Sequence, residues 1–137
     1  MTSGGCLCGA VRFEVDGPLR DVVVCHCSLC RRNGSNAGAY TSIARDGLKL
    51  LADGGLAVYV DVNGRERSFC RSCGSTLFWA EPGTDEISIA AGALDGNGLR
   101  TVAHIFVASA ADWEIVPPGV RRHGEGLASP AVPPAGD

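Results

Sequence analysis

Seven cysteines fall into three tight groups, Cys6-x-Cys8, Cys25-x-Cys27-x-x-Cys30 and Cys70-x-x-Cys73. Thiolates so spaced are soft metal ligands. A structural zinc takes four ligands in a tetrahedron, whereas a catalytic zinc takes three and keeps one position for water or substrate. Four plus three accounts for every cysteine. Two short pairs, Cys6/Cys8 and Cys70/Cys73, suit a closed four-sulfur site that staples the N-terminal region to the middle of the chain. Cys25, Cys27 and Cys30 sit on one short segment and suit an open site. Spacing alone also allows Cys25/Cys27 to join Cys70/Cys73.

A disulfide framework is the competing reading, and it calls for an oxidising compartment, a secretory signal and an even cysteine count. The opening MTSGGCLCGAVRFEVDGPLR has no apolar run suited to a signal, and no later stretch approaches the roughly 18 apolar residues of a membrane span. The sequence therefore leads us to expect a cytoplasmic protein with reduced thiols and no membrane partner. Tight cysteine clusters bounded by turn formers are also poor candidates for scattered core positions.

The elements that must position these thiols are mostly strands. The chain has 137 residues, 19 of them glycine, and its apolar pattern mostly has a period of two. Val11, Phe13 and Val15 alternate with Arg12 and Glu14; Val58 and Val60 with Tyr59 and Asp61; Ile87 and Ile89 with Ser88 and Ala90. Each reads as a strand with one buried face. Further strands are expected at Val22–Cys25, Gly38–Ser42, Thr76–Ala80 and His104–Val107, separated by turns such as Asp16-Gly17-Pro18 and Val62-Asn63-Gly64. One helical turn follows Cys27, with Ser28 as its cap and Leu29–Arg32 as its body. The fold class is mainly β, a β-rich single domain with short helical turns, stapled by metal. It covers residues 1–125, and a flexible tail without periodicity covers 126–137.

The net charge of −3 and the absence of a basic stripe weigh against nucleic acid. Arg31, Arg32 and Arg71 stand beside cysteines, where a cation either balances a thiolate-rich site or receives a substrate carboxylate. His26, between two cysteines, and His104 are candidates for proton handling, but each more often has a structural role. Asp95 reads as the cap of the turn Gly96-Asn97-Gly98, and Trp79 and Trp113 as core or rim packing. Gly9 and Gly74 follow cysteines where a positive φ lets backbone amides turn toward sulfur.

The order Gly5-Cys6-Leu7-Cys8-Gly9, Cys25-His26-Cys27-Ser28-Leu29-Cys30-Arg31, Phe69-Cys70-Arg71-Ser72-Cys73-Gly74, Gly92-Ala93-Leu94-Asp95, His104-Ile105 and Trp113 resembles the glutathione-dependent formaldehyde-activating enzyme (Gfa) family, also called the centromere protein V/Gfa domain family. The match runs from about Ser3 to Trp113. The resemblance implies a β-tent fold with two zinc ions, one held structurally by Cys6, Cys8, Cys70 and Cys73 and one catalytically by Cys25, Cys27 and Cys30. It also implies a carbon–sulfur lyase activity like that of S-hydroxymethylglutathione synthase. Such an enzyme forms or cleaves an adduct between a glutathione-like thiol and formaldehyde or another small carbonyl compound. The same fold occurs in a chaperone-like partner of Rab GTPases, so the alternative expectation is a non-catalytic zinc protein that binds a protein partner or a thiol ligand.

Overall fold

The alternation of apolar residues in Val11–Val15 becomes a strand whose Val11, Phe13 and Val15 are all almost wholly inaccessible to solvent. In the computed structural model, which describes residues 1–96 and 98–133, eleven strands and one short helix are present among the described residues. In chain order they are β1 (Thr2–Gly5), β2 (Val11–Val15), β3 (Val22–Cys25), α1 (Ser28–Gly34), β4 (Gly38–Ala44), β5 (Leu48–Asp53) and β6 (Leu56–Val60). They continue with β7 (Glu66–Cys70), β8 (Thr76–Ala80), β9 (Glu86–Ala90), β10 (Thr101–Ile105) and β11 (Arg121–Arg122). Among these residues no helix is long and apolar enough to cross a membrane.

Contacts divide the chain into two compact units. The first unit comprises Met1–Arg20 and Thr41–Gly98. In it β1, β2 and β5 form an antiparallel sheet, with Gly5 opposite Arg12 and Val15 opposite Leu48. Strands β6, β7, β8 and β9 follow one another as antiparallel neighbours, and β9 lies beside β4. The core gathers Val11, Phe13, Val15, Ile43, Leu77, Phe78 and Ile89, together with Cys6 and Cys70. Phe13 and Phe78 meet edge to face at 5.1 Å, the arrangement that ring quadrupoles favour. Each large apolar side chain buried here contributes about 1.5–3 kcal/mol.

The second unit holds Asp21–Tyr40 and the described residues from Leu99 onward. Its centre is β3, which pairs parallel with β10 (Val24 opposite His104, Cys25 opposite Ile105) and antiparallel with the start of β4 (Cys25 opposite Gly38). The outer side of β10 is covered by β11, which pairs with it in parallel. Beyond it, Ala131 bridges His123, and the amide of Val132 donates to the Arg122 carbonyl. Of the expected tail, residues 134–137 lie outside the described residues.

Several local expectations need correction. The strand expected at His104–Val107 instead spans Thr101–Ile105, because Phe106 turns into the left-handed region at φ 53° and Val107–Ser109 forms a tight helical turn. Strand β6 forms, but Val58 and Val60 are exposed rather than buried, since β6 is the last strand of its sheet. The Asp95 carboxylate lies 2.7 Å from the Arg12 guanidinium; Asn97, part of the turn that Asp95 was expected to cap, lies outside the described residues. The Val62-Asn63-Gly64 turn follows the rules for its residue types. The Asp61 carboxylate accepts from the amides of Asn63 and Arg65, and Gly64 takes the left-handed φ of 77°.

Candidate metal centres

In the first unit two cysteine turns face each other. Cys6 directly follows β1, and its thiol accepts the Val11 amide at 3.2 Å. The turn closes with the Gly9 amide on the Cys6 carbonyl, and Gly9 has φ 84°. The second turn repeats the design, with Cys70 closing β7, the Gly74 amide on the Cys70 carbonyl at 2.7 Å, and φ 79° at Gly74. Both glycines take the positive φ that a side chain disfavours. Ser75 links the two turns, since its hydroxyl accepts the Leu7 amide at 2.9 Å and lies 3.2 Å from Cys73 Sγ.

The result brings Cys6, Cys8, Cys70 and Cys73 together, with all four sulfurs within 4.8 Å of one another. Cys6 and Cys8 are 3.7 Å apart, and Cys8 and Cys70 are 3.8 Å apart. A tetrahedron of thiolates around zinc at about 2.3 Å places its sulfurs about 3.8 Å apart. The spacing fits the ion and is far too long for disulfides; all seven cysteines are free.

Without a cation these sulfurs compete for negative charge. The Ser75 hydroxyl and amide pull the Cys73 thiol down to about 5, whereas Cys8, despite the favourable Ala10 amide, is pushed up to about 11 by burial and its three sulfur neighbours. Burial pushes Cys6 up, but the Val11 amide and the thiols of Cys70 and Cys8 outweigh it, leaving Cys6 below the ordinary thiol range. A divalent cation removes the competition by stabilising every thiolate at once.

The second unit gathers Cys25, Cys27 and Cys30, whose sulfurs also lie within 4.8 Å of one another. Cys25 ends β3; Cys27 precedes α1; Cys30 is buried in its first turn. The helix is capped by Cys27 rather than by the expected Ser28. The Cys27 thiol accepts the Cys30 amide at 3.3 Å, and the Arg31 amide donates to the Cys27 carbonyl. One residue thus starts the helix and presents a ligand. The Cys30 thiol and burial push the Cys25 thiol well above its ordinary range, and the charges of Cys30 and Cys27 add to this against the pull of the Cys27 amide. This too is a donor set that calls for a cation.

Around the trio lie groups that the spacing of cysteines does not announce. His26 Nε2 is 2.8 Å from His104 Nδ1 in a buried, stacked pair. The His26 amide donates to the Ile105 carbonyl. Glu114 accepts from the Asn36 side chain and from the Ile115 amide, and its charge reaches both histidines. His26 Nδ1, Arg31 Nε and Asn36 Oδ1 are buried without a hydrogen-bond partner among the described residues. Trp113, next to Glu114, is exposed. Glu114 and Asn36 are 78 positions apart, and no local pattern links them.

Comparisons with known proteins bear directly on these centres. The pattern described as glutathione-dependent formaldehyde-activating enzyme matches residues 1–109. The chain belongs to this family. Both cysteine clusters therefore occur in a Gfa family member, and all seven cysteines lie inside the matched stretch. A curated Halomonas elongata protein, named as a candidate glutathione-dependent formaldehyde-activating enzyme, is 30% identical over 124 residues, covering 82% of this chain and 79% of its own. A crystal structure of a Rhodobacter sphaeroides protein is similar to this Gfa chain with a TM-score of 0.59 and 27% identity, over 70% of this chain and 90% of the other.

Proposed function

We propose that this chain is a zinc-dependent enzyme of the carbon–sulfur lyase type, which forms or cleaves an adduct between a glutathione-like thiol and formaldehyde or another small carbonyl compound. The observation that carries the proposal is the second cluster, three cysteine sulfurs within 4.8 Å drawn from one short segment. Three ligands are the donor set of a catalytic zinc, whereas a purely structural site takes four.

On this reading Cys25, Cys27 and Cys30 hold the catalytic ion, and Cys6, Cys8, Cys70 and Cys73 hold a structural one. A bound zinc supplies Lewis acidity and lowers the pKa of a thiol or water beside it. In the forward direction a sulfur–carbon bond forms, the carbonyl π bond opens, and the thiol proton ends on the new hydroxyl. The protein contributes position. β3 and the first turn of α1 hold the three sulfurs rigidly, so the reactants meet in a fixed geometry. Arg31, one residue from Cys30, has a buried Nε without a hydrogen-bond partner among the described residues, which suits a guanidinium that receives the carboxylate of the thiol substrate.

The test is exchange spectroscopy on a formaldehyde and glutathione mixture, with zinc-loaded protein and the Cys27→Ser variant side by side. Adduct exchange faster than the uncatalysed rate, and returned to that rate in the variant, is the expected result. No acceleration by fully metallated wild-type protein overturns the reading.

A further inference from the structure

Strand β6 is the outermost strand of its sheet, with β7 on one side and no strand on the other among the described residues. Its backbone pattern shows which groups are left open. Asp61 N–H donates to the Arg65 carbonyl, and Arg71 N–H donates to the Gly55 carbonyl. Odd-numbered positions therefore bond toward β7, and the amides and carbonyls of Leu56, Val58 and Val60 point to the open side. The Leu56 carbonyl takes the Arg71 guanidinium at 3.3 Å and keeps a second lone pair.

The side chains on this edge are apolar and exposed. Val58 is 52% accessible, Tyr59 62%, Val60 57% and the adjoining Val62 85%. Proteins usually blunt such an edge with lysine, proline, a bulge or a covering segment. From Leu56 to Val60 there is no charged residue and no proline, and β6 pairs with β7 without a register shift. In the other unit, by contrast, the chain covers β10 with β11.

We propose that β6 is an association surface for a second copy of this chain, through antiparallel β6-to-β6 pairing about a twofold axis at Val58. What points to the second copy is self-complementarity. In that register Val58 meets Val58, Leu56 meets Val60 and Ala57 meets Tyr59, all uncharged pairs. The outward backbone groups of 56, 58 and 60 exchange hydrogen bonds. Asp61, the first charge beyond the strand, falls opposite Gly55, so no like charges oppose each other. Such an isologous pairing uses the same patch on both copies and closes at two. It does not depend on the chemistry at either cysteine cluster.

The test is the mass of the full, metal-loaded chain in solution by light scattering across the micromolar range. The expected value is twice the 14.1 kDa of one chain. Val58→Lys and Val58→Glu each place like charges opposite one another at the axis, so each alone falls to the single-chain mass, and an equimolar mixture of the two regains the double mass. Hydrogen exchange needs no variant and guards against misfolded ones: the Val58 and Val60 amides are protected at high concentration and exchange quickly on dilution. A wild-type chain of single mass throughout overturns the proposal and leaves this edge to a strand of a different protein. A double mass that survives in folded Val58→Lys, or Val58 and Val60 amides that exchange fast within a dimer, overturns it in favour of another face.

Discussion

Nε2 of His26 and Nδ1 of His104 stand 2.8 Å apart with their rings stacked at 5.1 Å. One nitrogen donates and the other accepts, so a neutral pair satisfies the contact and a doubly protonated one cannot. Burial pushes both pKa values down; for His104 the charges of His26 and Arg122 push further, and Glu114 pulls both back only in part.

Histidine NMR titrations are therefore expected to find each ring more than half neutral at about pH 6.5, where an unperturbed histidine is half protonated. A folded pKa below the unfolded value means that the pair's stabilisation is complete above that pH and is lost as the pH falls through the folded values. His104→Phe leaves His26 Nε2 buried without its partner and is expected to cost about 1–3 kcal/mol, read from urea unfolding at pH 8. Wild-type stability in that variant would rule out a stabilising hydrogen bond.

A second prediction concerns Asp61 and Arg67, a buried ion pair at 2.8 Å. Burial pushes the Asp61 carboxyl up, but the Arg67 guanidinium and the amides of Arg65 and Asn63 outweigh it and hold the carboxyl below its usual range. Asp61→Asn removes the carboxylate charge that faces the buried guanidinium and is expected to lose about 3–5 kcal/mol at neutral pH. Because the folded pKa is depressed, the difference from wild type is present above the ordinary carboxylate pKa of about 4 and shrinks as the pH falls through the folded value. Denaturant midpoints of the two proteins that stay equally far apart at pH 7 and pH 2 would contradict this assignment.

The two cysteine clusters are expected to separate under mutation. Metal analysis of the wild-type chain should give two zinc equivalents, and Cys27→Ser one, with the fold of the first unit kept. Cys70→Ser changes a fully buried ligand in the core of that unit and is expected to unfold it on mild chelation. Equal metal content in all three proteins would show that the clusters are not zinc sites.

Gly55 is expected to be intolerant of a methyl group. A Cβ at this position would lie 2.8 Å from Cys70 Sγ and 3.1 Å from the Ala10 side chain. Gly55→Ala must push the Cys70 sulfur out of place, at an overpacking cost of about 1–3 kcal/mol. Competition with a chromogenic chelator reads the result as weaker retention of one of the two metals; unchanged retention of both would mean that the turn relaxes around the methyl.

Legibility in the sequence tracked the distance over which each feature is encoded. Strands β2, β3 and β8 were readable to the residue, because alternation and flanking turn formers act within a few positions. So were the positive φ values of Gly9 and Gly74. The short strands β1, β5, β7 and β11 were not marked out, since Gly-rich or mixed-polarity segments acquire their strand form from their partners. The cap of α1 was misplaced by one residue, because a thiol took the role usual for a serine hydroxyl.

By itself the sequence determined that seven cysteines lie in three local groups, which carry a family pattern and a β-rich fold. Groups this short keep their ligands within one turn or strand end, whatever the rest of the chain does. Spacing alone left open which group closes on Cys70 and Cys73. Tertiary structure decided that, joining them to Cys6 and Cys8 through Ser75 and the paired turns. It also set His104 against His26 and Asn36 against Glu114, contacts that span 78 positions, and left β6 exposed. Such features arise from strand register and from which edge is left uncovered, and neither is encoded in any short stretch of residues.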